Sequence, residues 1–179
     1  MGQFISAKPF PDAIYGDDIL LQLHHSDDES HIAEFVNMIK RNEDFSNFLD
    51  VTPYLNINSA KKVIKQREGF AQNGLLADYA ITQLFTGKIF GGICFVNYGN
   101  KSVGVTYYLD KQYRGLGFIS KSLKASEPEL AKLGFENIIL EINEENSNSI
   151  NVAKKNNFIF KETGYPMKDF VKSLKGLER

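Results

Sequence analysis

The sequence predicts an α+β fold with a mixed, mostly antiparallel sheet. Apolar runs of strand length alternate with windows in which apolar residues recur at helical spacing. Three of the strand-like runs follow one another at tight turns, which indicates an antiparallel meander. The predicted order of elements is β-α-α-β-β-β-α-β-α-β-β, and we expect one mixed α+β domain over residues 1–179.

The first predicted elements are a strand and a helix. Residues 19–23 form an apolar run of strand length. Residues 27–29 can cap a helix over residues 30–40. The apolar residues on one face of this helix are Ile32, Phe35, Val36 and Ile39. Residues 42–53 are polar and aromatic, which predicts a loop or a short helix.

A second helix is predicted over residues 59–72, and the meander follows it. The helix ends at Asn73-Gly74, and its expected apolar contacts are Val63, Ile64 and Phe70. The three strands of the meander cover residues 75–85, 89–98 and 103–109, with a tight turn at 86–88. Gly91-Gly92 in the second strand indicates a bend or a close approach of another backbone.

A third helix is predicted over residues 116–133, and it contains Pro128. A proline inside a helix removes one hydrogen bond and crowds the carbonyl four residues earlier, which here belongs to Lys124. Ser126 and Glu129 have the spacing of a capping box. The sequence therefore predicts that this helix is bent, or that it breaks and restarts, near Pro128.

The last predicted elements are a buried strand, a helix and two closing strands. The strand covers residues 137–142 and carries a single charge, Glu141, among apolar residues. The helix covers residues 147–156. The closing strands are predicted at residues 158–160 and 169–174.

Composition excludes several classes of protein. Hydrophobic residues make up 42% of the 179 residues, which argues against disorder. The formal net charge is −1 and the basic residues are dispersed, which argues against a nucleic-acid partner. No apolar run approaches a membrane span, so we expect no membrane partner. The first six residues fit the short myristoylation pattern Met-Gly-x-x-x-Ser, which matters only in an organism that has the transferase.

The cysteine and the histidines predict neither a disulfide nor a metal site. Cys94 is the sole cysteine, so it forms no internal disulfide, and a reducing cytoplasm is the expected location. A buried strand cysteine is favoured over a nucleophile because no base is apparent beside it. The three histidines, His24, His25 and His31, have no Cys or acidic companions at zinc spacing.

Residues 112–117, Gln-Tyr-Arg-Gly-Leu-Gly, join a predicted strand to a predicted helix. Gly115 and Gly117 allow the backbone to approach a ligand, and the helix start supplies unpaired N–H groups with a partial positive charge. Such a turn suits a pyrophosphate. The spacing differs from the dinucleotide and nucleoside-triphosphate fingerprints. Taken alone, the turn also fits a glycine turn that binds nothing.

Linked motifs resemble the GNAT superfamily of N-acyltransferases. The turn is similar to its acyl-CoA pyrophosphate loop, Gln/Arg-x-x-Gly-x-Gly/Ala. Leu140-Glu141-Ile142, residues 146–150 (Asn-Ser-Asn-Ser-Ile) and Asn157-Phe158 resemble the Leu-Glu-Val, Asn-x-x-Ser/Ala-Ile and Gly-Phe motifs. Residues 106–110, Thr-Tyr-Tyr-Leu-Asp, resemble the strand that enters the loop in RimJ/RimL-type ribosomal-protein and polyamine acetyltransferases. The resemblance spans about residues 19–174 and is specific over 103–160.

The resemblance implies a GNAT-like domain whose sheet is splayed around an acyl-CoA site, with helices on both faces. Acetyl-CoA is then the co-substrate, and its pantetheine lies like an extra strand between residues 103–109 and 137–142. The implied binding residues are Leu109, Gln112, Arg114, Gly115, Leu116, Gly117, Phe118 and Asn146. Two alternatives stay open: Arg114 as a solvated surface charge, and Asn146 as a helix cap.

The resemblance also implies catalytic residues. Glu141 matches the glutamate that is the base in some relatives, and burial of a carboxylate raises its pKa towards the range useful for a base. A structural or solvent-facing charge is the alternative. Ser149 is implied to reprotonate the thiolate, with a helix-start role as the alternative. Tyr107 and Tyr108 point to opposite faces, so one of them, assigned to Tyr108, can serve as an acid.

Two positions depart from the family pattern. Asn157 stands where glycine is usual, and asparagine tolerates the left-handed backbone that glycine favours. Ala153 stands at the tyrosine acid of the RimI-like subgroup, so the same acid is excluded. The source of the proton for the thiolate stays open between Ser149 and a tyrosine.

The function implied is an acetyl-CoA-dependent N-acetyltransferase that acts on a primary amine: a polyamine, a peptide or protein N-terminus, or a small-molecule amine. We expect the acceptor site within residues 24–73, where acidic and aromatic residues suit a cationic amine, although solvated helix surfaces look alike. These residues are Asp27, Asp28, Glu29, Glu43, Asp44, Phe45, Phe48, Asp50 and Tyr54. The alternative function is a catalytically silent GNAT-like CoA sensor or partner module. A homodimer is compatible with the sequence.

Overall fold

One sheet of eight strands runs through the described part of the computed structural model, which covers residues 8–47, 49–161 and 166–177. The strands are β1 (Ala13–Tyr15), β2 (Ile19–Leu23), β3 (Leu76–Gln83), β4 (Ile89–Gly99), β5 (Ser102–Leu109), β6 (Asn137–Asn143), β7 (Ile159–Lys161) and β8 (Met167–Ser173). The α-helices are α1 (Glu29–Lys40), α2 (Ile57–Gln72), α3 (Phe118–Lys132) and α4 (Ser147–Lys155). The myristoylation pattern and Phe48 lie outside the described residues.

The strand order is β1-β2-β3-β4-β5-β6-β8-β7, and every neighbouring pair is antiparallel except β5 and β6. The parallel pair joins Ser102, Val103 and Gly104 to Asn137, Ile138 and Ile139. Pairing then stops, although β5 continues to Leu109 and β6 to Asn143. The two strands therefore separate over their second halves. The predicted mixed and splayed sheet is confirmed.

Helices cover both faces of the sheet, as predicted. Side chains of a strand alternate between faces, and Tyr79 and Ala80 of β3 accordingly belong to different buried clusters. The first cluster packs α3 and α4 against the sheet, through residues such as Leu123 and Ala153. The second packs α1 and α2 against the other face, through residues such as Phe35 and Ile64.

The helix ends follow the sequence closely. Asp28 caps α1 by accepting a hydrogen bond from the N–H of His31 at 3.0 Å. Asn73 ends α2, and Gly74 follows with a φ of +64°. Two short 3₁₀ helices, Glu43–Asn47 and Thr52–Tyr54, overlap residues 42–53, where a loop or short helix was predicted. The hairpin partner β1 was not predicted, because three residues are too few to show a period.

The predicted apolar contact of Phe70 is wrong. Phe70 is exposed, whereas Ala60, Ile64 and Ala71 are the buried residues of α2. These three follow the helical period, and Phe70 is rotated about 100° away from Ala71 around the helix axis. Hydrophobicity alone assigned Phe70 to the core face.

Of the bend and the break predicted at Pro128, the break is wrong, because α3 continues from Phe118 to Lys132 with Pro128 inside it. The bend stays a prediction. Ser126 caps no new helix; its hydroxyl donates to the Leu123 carbonyl at 2.8 Å. Pro128 and Lys124 are both exposed. Water can therefore bind the Lys124 carbonyl that a proline leaves without its usual partner, which lowers the cost of the proline.

We expect Pro128→Ala to raise the free energy of unfolding by about 1–2 kcal/mol. Alanine supplies the missing N–H and has the highest helix propensity, although part of this gain is offset because the unfolded chain becomes more flexible. Urea unfolding of the variant and of Lys124→Ala, an exposed control in the same helix, measures the difference. A loss of stability in Pro128→Ala would contradict this account of the helix.

Candidate active site

A cavity of about 1140 Å³ opens where β5 and β6 separate. Its walls include residues 105–109 of β5 and residues 140–143 of β6. The start of α3, one side of α4, and residues 44–47 and 49–52 also line it. The two segments that carry the sequence motifs therefore meet at one space.

The turn before α3 presents backbone N–H groups to this space. Gly115 and Gly117 have φ values of +79° and +83°, a conformation that residues with a side chain rarely adopt. No atom lies within 4 Å of a Cβ built on either glycine, so the backbone borders open space. Gly117 begins the helix without a side-chain cap. Within the described residues, the N–H groups of Phe118, Ile119 and Ser120 make no hydrogen bond, and they remain available to an anion.

The Arg114 side chain is held by protein groups. Its Nε donates to the Leu109 carbonyl at 3.0 Å, and its two terminal nitrogens donate to Asp44 at 2.5 and 3.2 Å. The hydrogen bond from Arg114 is the main reason that the pKa of Asp44 is below its ordinary value. In this arrangement the Leu109 carbonyl is already bonded. The backbone of the turn, rather than the Arg114 guanidinium, is free to bind a ligand.

Buried Asp110 fixes the start of the turn. One carboxylate oxygen accepts from the Gln112 N–H at 3.2 Å, and the other accepts from Arg41 Nε at 2.6 Å. Asn42 adds a bond from the Lys111 N–H at 2.8 Å. Burial raises the pKa of Asp110, but the hydrogen bonds from Gln112 and Arg41 outweigh it, so the net pKa is lowered. The C-terminal end of α1 thus anchors a turn about 70 residues away.

Other turn residues divide into those at the cavity and those outside it. Gly115, Gly117 and Phe118 line the cavity, whereas Gln112 and Leu116 are exposed and lie outside the lining.

The structure adds lining residues on α4 that we did not predict. They are Asn148, Asn151 and Lys155. Their spacing of three and four residues places them on one helix face, so a polar stripe was the signal that sequence reasoning missed.

Asn146 and Ser149 both line the cavity, and both also stabilise the start of α4. The Asn146 side-chain oxygen accepts from the Ser149 N–H at 3.1 Å, so the capping alternative for Asn146 is present. The amide nitrogen of Asn146 is then the atom that can donate to a ligand. Tyr107 donates to the Ser149 carbonyl at 3.5 Å, and burial is the main reason that the pKa of Tyr107 is raised to about 12.

Glu141 lies at the cavity on β6, but the expectation that it is buried is wrong. Ile138, Leu140 and Ile142 point into the core under α3 and α4. Glu141 points to the opposite face and is exposed. Its Oε2 accepts a hydrogen bond from the Tyr98 hydroxyl at 2.7 Å. The exposure of Glu141 was predictable from the sequence, because side chains alternate along a strand and the three apolar residues lie on the face opposite to Glu141.

Tyr108 lies between the cavity and the second buried cluster. It is half-buried and packs against Phe45 and Phe35, with ring centroids 5.1 and 6.5 Å away. A Cβ at Gly91 or Gly92 would collide with Tyr108, which confirms the predicted close approach at this glycine pair. Burial raises the pKa of Tyr108 well above its ordinary value, so the phenol stays protonated at neutral pH.

Only part of residues 24–73, where the acceptor site was expected, lines the cavity. Asp44, Phe45 and Asp50 line the cavity. Asp28 instead caps α1, and Glu29 pairs with Lys61 at 2.6 Å. Asp27, Glu43 and Tyr54 also lie outside the lining. The acidic residues at the start of α1 are therefore not part of the cavity lining.

Two positions that depart from the family pattern have clear structural explanations. Asn157 has a φ of +62°, as the glycine usual at this position would allow, and this confirms the left-handed backbone. Ala153 is buried in the core.

No group of three or more metal-ligating residues occurs in the described parts of the chain. Among these residues there is also no helix long and apolar enough to span a membrane.

Comparison with known proteins identifies a family. The family model described as "Acetyltransferase (GNAT) domain" matches residues 19–159. No curated protein matches the chain in sequence.

Solved structures with a similar fold include acetyltransferases in complex with coenzyme A or acetyl-CoA. The RimL ribosomal-protein alpha-N-acetyltransferase in complex with coenzyme A has a TM-score of 0.78 and 21% identity, over 90% of this chain and 97% of that one. RimJ of Mycobacterium smegmatis in complex with a CoA disulfide has a TM-score of 0.78 and 14% identity, over 95% and 91%. The microcin self-immunity acetyltransferase MccE, in complex with acetyl-CoA and AMP, has a TM-score of 0.75 and 19% identity, over 88% and 93%. These likenesses show the fold.

We expect Asp110→Asn to lower the free energy of unfolding by about 1–2 kcal/mol at pH 7, because it removes the charge that Arg41 pairs with. The folded-state pKa of Asp110 is lowered, so its contribution is present above the ordinary value of 3.8 and is lost as the pH falls through the folded-state value. The difference between wild type and variant should therefore shrink on acidification. Urea unfolding at pH 7 and at successively lower pH measures it, and a difference independent of pH would contradict this interpretation.

Proposed function

Because the chain belongs to the GNAT acetyltransferase family, we propose that it transfers the acetyl group of acetyl-CoA to a primary amine. One observation carries this proposal: free N–H groups at the start of α3 and the gap between β5 and β6 border the same cavity. The candidate acceptors are a polyamine, a peptide or protein N-terminus, such as that of a ribosomal protein, and a small-molecule amine. The single cysteine favours a reducing cytoplasm as the location of the protein.

We place the pyrophosphate of acetyl-CoA on the N–H groups between Arg114 and Ser120. A helix start of this kind favours negative charge through its dipole and its unpaired donors. Lys155 on α4 adds a cation to the same cavity. The pantetheine then lies along the β5 edge beyond Gly104, where pairing with β6 has ended, and its amides can bond to strand backbone. The Asn146 amide nitrogen is a further donor for this arm.

The transfer begins when the amine nitrogen attacks the thioester carbonyl carbon. The C–N bond forms, the carbonyl oxygen takes the negative charge, and the C–S bond then breaks to release the CoA thiolate. An amine is largely protonated at neutral pH, so a base must remove a proton before or during attack. We assign this role to Glu141, directly or through a water molecule, because it is an exposed carboxylate at the separated strands.

The thiolate must receive a proton as it leaves. Ser149 lines the cavity at the start of α4, and its hydroxyl is our first candidate for this step. Tyr108 is the second. Its raised pKa keeps the phenol protonated, which suits a proton donor and excludes a base at neutral pH.

We expect Gly117→Val to abolish acetyl-CoA binding, and Gly115→Val to weaken it strongly. A β-branched residue is strained at these positive φ values, so the turn must rearrange and withdraw its N–H groups. Gly87→Val is the matched control, because Gly87 has a φ of +69° and equally open surroundings but lies outside the cavity lining. Calorimetric titration with acetyl-CoA measures the affinity. Wild-type affinity in both turn variants would remove the turn from the proposed binding site.

We expect Glu141→Gln to lower turnover by roughly two orders of magnitude, the usual size of a general-base effect. The deficit should shrink at high pH, where the amine loses its proton without help, and acetyl-CoA affinity should be little changed. Ser149→Ala should lose less, because water can replace a hydroxyl donor. Glu145→Gln is the control, since Glu145 is exposed and lies outside the cavity lining.

Release of CoA with a panel of amines is the assay. Wild-type turnover in Glu141→Gln across the pH range would remove Glu141 from the mechanism. Acetyl-CoA binding without acetylation of any amine in the panel would instead favour the silent CoA-binding module.

A further inference from the structure

We propose that Tyr98 is a positioning residue for Glu141: its hydroxyl holds one carboxylate oxygen and leaves the other to take the proton of the amine. This inference rests on the base role of Glu141 in the proposed function. The Tyr98 hydroxyl donates to Glu141 Oε2 at 2.7 Å, and both residues line the cavity.

Tyr98 reaches Glu141 from a strand that is not adjacent to β6. Tyr98 lies near the end of β4, and β5 runs between β4 and β6. The tyrosine ring crosses β5 at Gly104. A Cβ on Gly104 would collide with the ring carbon Cζ and would lie 2.6 Å from the hydroxyl oxygen. The absence of a side chain at residue 104 is therefore what admits the ring.

The hydrogen bond between Tyr98 and Glu141 lies beyond the point where β6 is paired with β5. Gly104 and Ile139 are the last paired residues of β5 and β6, and Glu141 is two residues further along. A glutamate side chain that is exposed at a strand edge has several rotamers of similar energy, and ordering it costs conformational entropy. A hydrogen bond to the Tyr98 phenol, which is carried by the paired strand β4, reduces this freedom before the substrate binds.

The charges around Glu141 make a neutral donor the suitable partner. Asp169 of β8 is its partner in strand register, and Asp50 and Asp44 line the same cavity. Asp44 is paired with Arg114, and Lys155 lies on the α4 side of the cavity. The pKa of Tyr98 is raised to about 12 by burial first and then by the hydrogen bond and the charge of Glu141. Tyr98 therefore remains a donor throughout the neutral pH range.

Tyr98→Phe tests the inference, because it removes only the hydroxyl. Without it, the carboxylate is no longer ordered before the substrate binds, and we expect kcat to fall by about tenfold, the rate equivalent of one hydrogen bond to a charged group. The KM for the amine should change little, because the Tyr98 hydroxyl is not proposed to bind the substrate. Acetyl-CoA affinity and thermal stability should be unchanged, because Tyr98 is 48% exposed.

Two further variants separate positioning from a general structural effect. Gly104→Ala should reproduce the fall in kcat with Tyr98 intact, because its methyl group displaces the ring. Tyr15→Phe should keep the wild-type kcat and KM, since Tyr15 is 70% exposed and lies outside the cavity lining. Tyr98→Phe added to Glu141→Gln should cause no further loss, because the two residues act together.

The outcomes distinguish this inference from the proposed function. A wild-type kcat in Tyr98→Phe, together with a large loss in Glu141→Gln, would overturn the role of Tyr98 and leave the base assignment intact. Wild-type turnover in Glu141→Gln would overturn both roles, while loss of acetyl-CoA binding in the Gly117→Val variant would still support the co-substrate site. A second, additive loss in the double variant would also overturn the inference, because Tyr98 would then act independently of Glu141.

Discussion

The end of parallel pairing at Gly104 and Ile139 is the constraint on which the rest of the site depends. Both strands continue beyond this pair, so each carries backbone N–H and C=O groups that face the gap without a strand partner there. Such groups need hydrogen bonds from water or from a ligand. An extended molecule with amide groups can supply them in the manner of an added strand. The start of α3 lines the same cavity, and its unpaired N–H groups suit a charged group.

A gap of this kind is useful only if its walls are fixed, and long-range contacts fix them here. Asp110 ties the turn to Arg41 at the end of α1, while Arg114 ties it to Asp44 in the following 3₁₀ helix. These bonds join the glycine turn to residues 44–47, which border the cavity. The aromatic contacts of Tyr108 with Phe45 and Phe35 connect β5 to the same segment and to α1. The proposed donor and acceptor sides of the site would therefore be held by the same contacts.

Sequence predicted what depends on local pattern and missed what depends on distant partners. The glycine turn, the strand before it and the left-handed Asn157 were predictable, because each is set by a few neighbouring residues. The pairing of Asp110 with Arg41 was not, since it spans 69 positions and no local signal marks it. The break predicted at Pro128 is wrong because the cost of a helical proline depends on whether water reaches the freed carbonyl. The burial predicted for Glu141 is wrong because apolar neighbours in sequence do not bury a strand residue that alternation places on the opposite face.

The exposure of Glu141 changes what a base at this position requires. A buried carboxylate acts as a base because desolvation brings its pKa near neutrality. An exposed carboxylate is accessible to the amine, but its side chain is mobile and surrounded by water. Order must then come from a neighbour, and the Tyr98 hydroxyl is placed to provide it. Gly104 connects the hydrogen bond between Tyr98 and Glu141 to the pairing of the sheet. The residue that closes the pairing of β5 with β6 is also the one whose missing side chain lets Tyr98 cross β5.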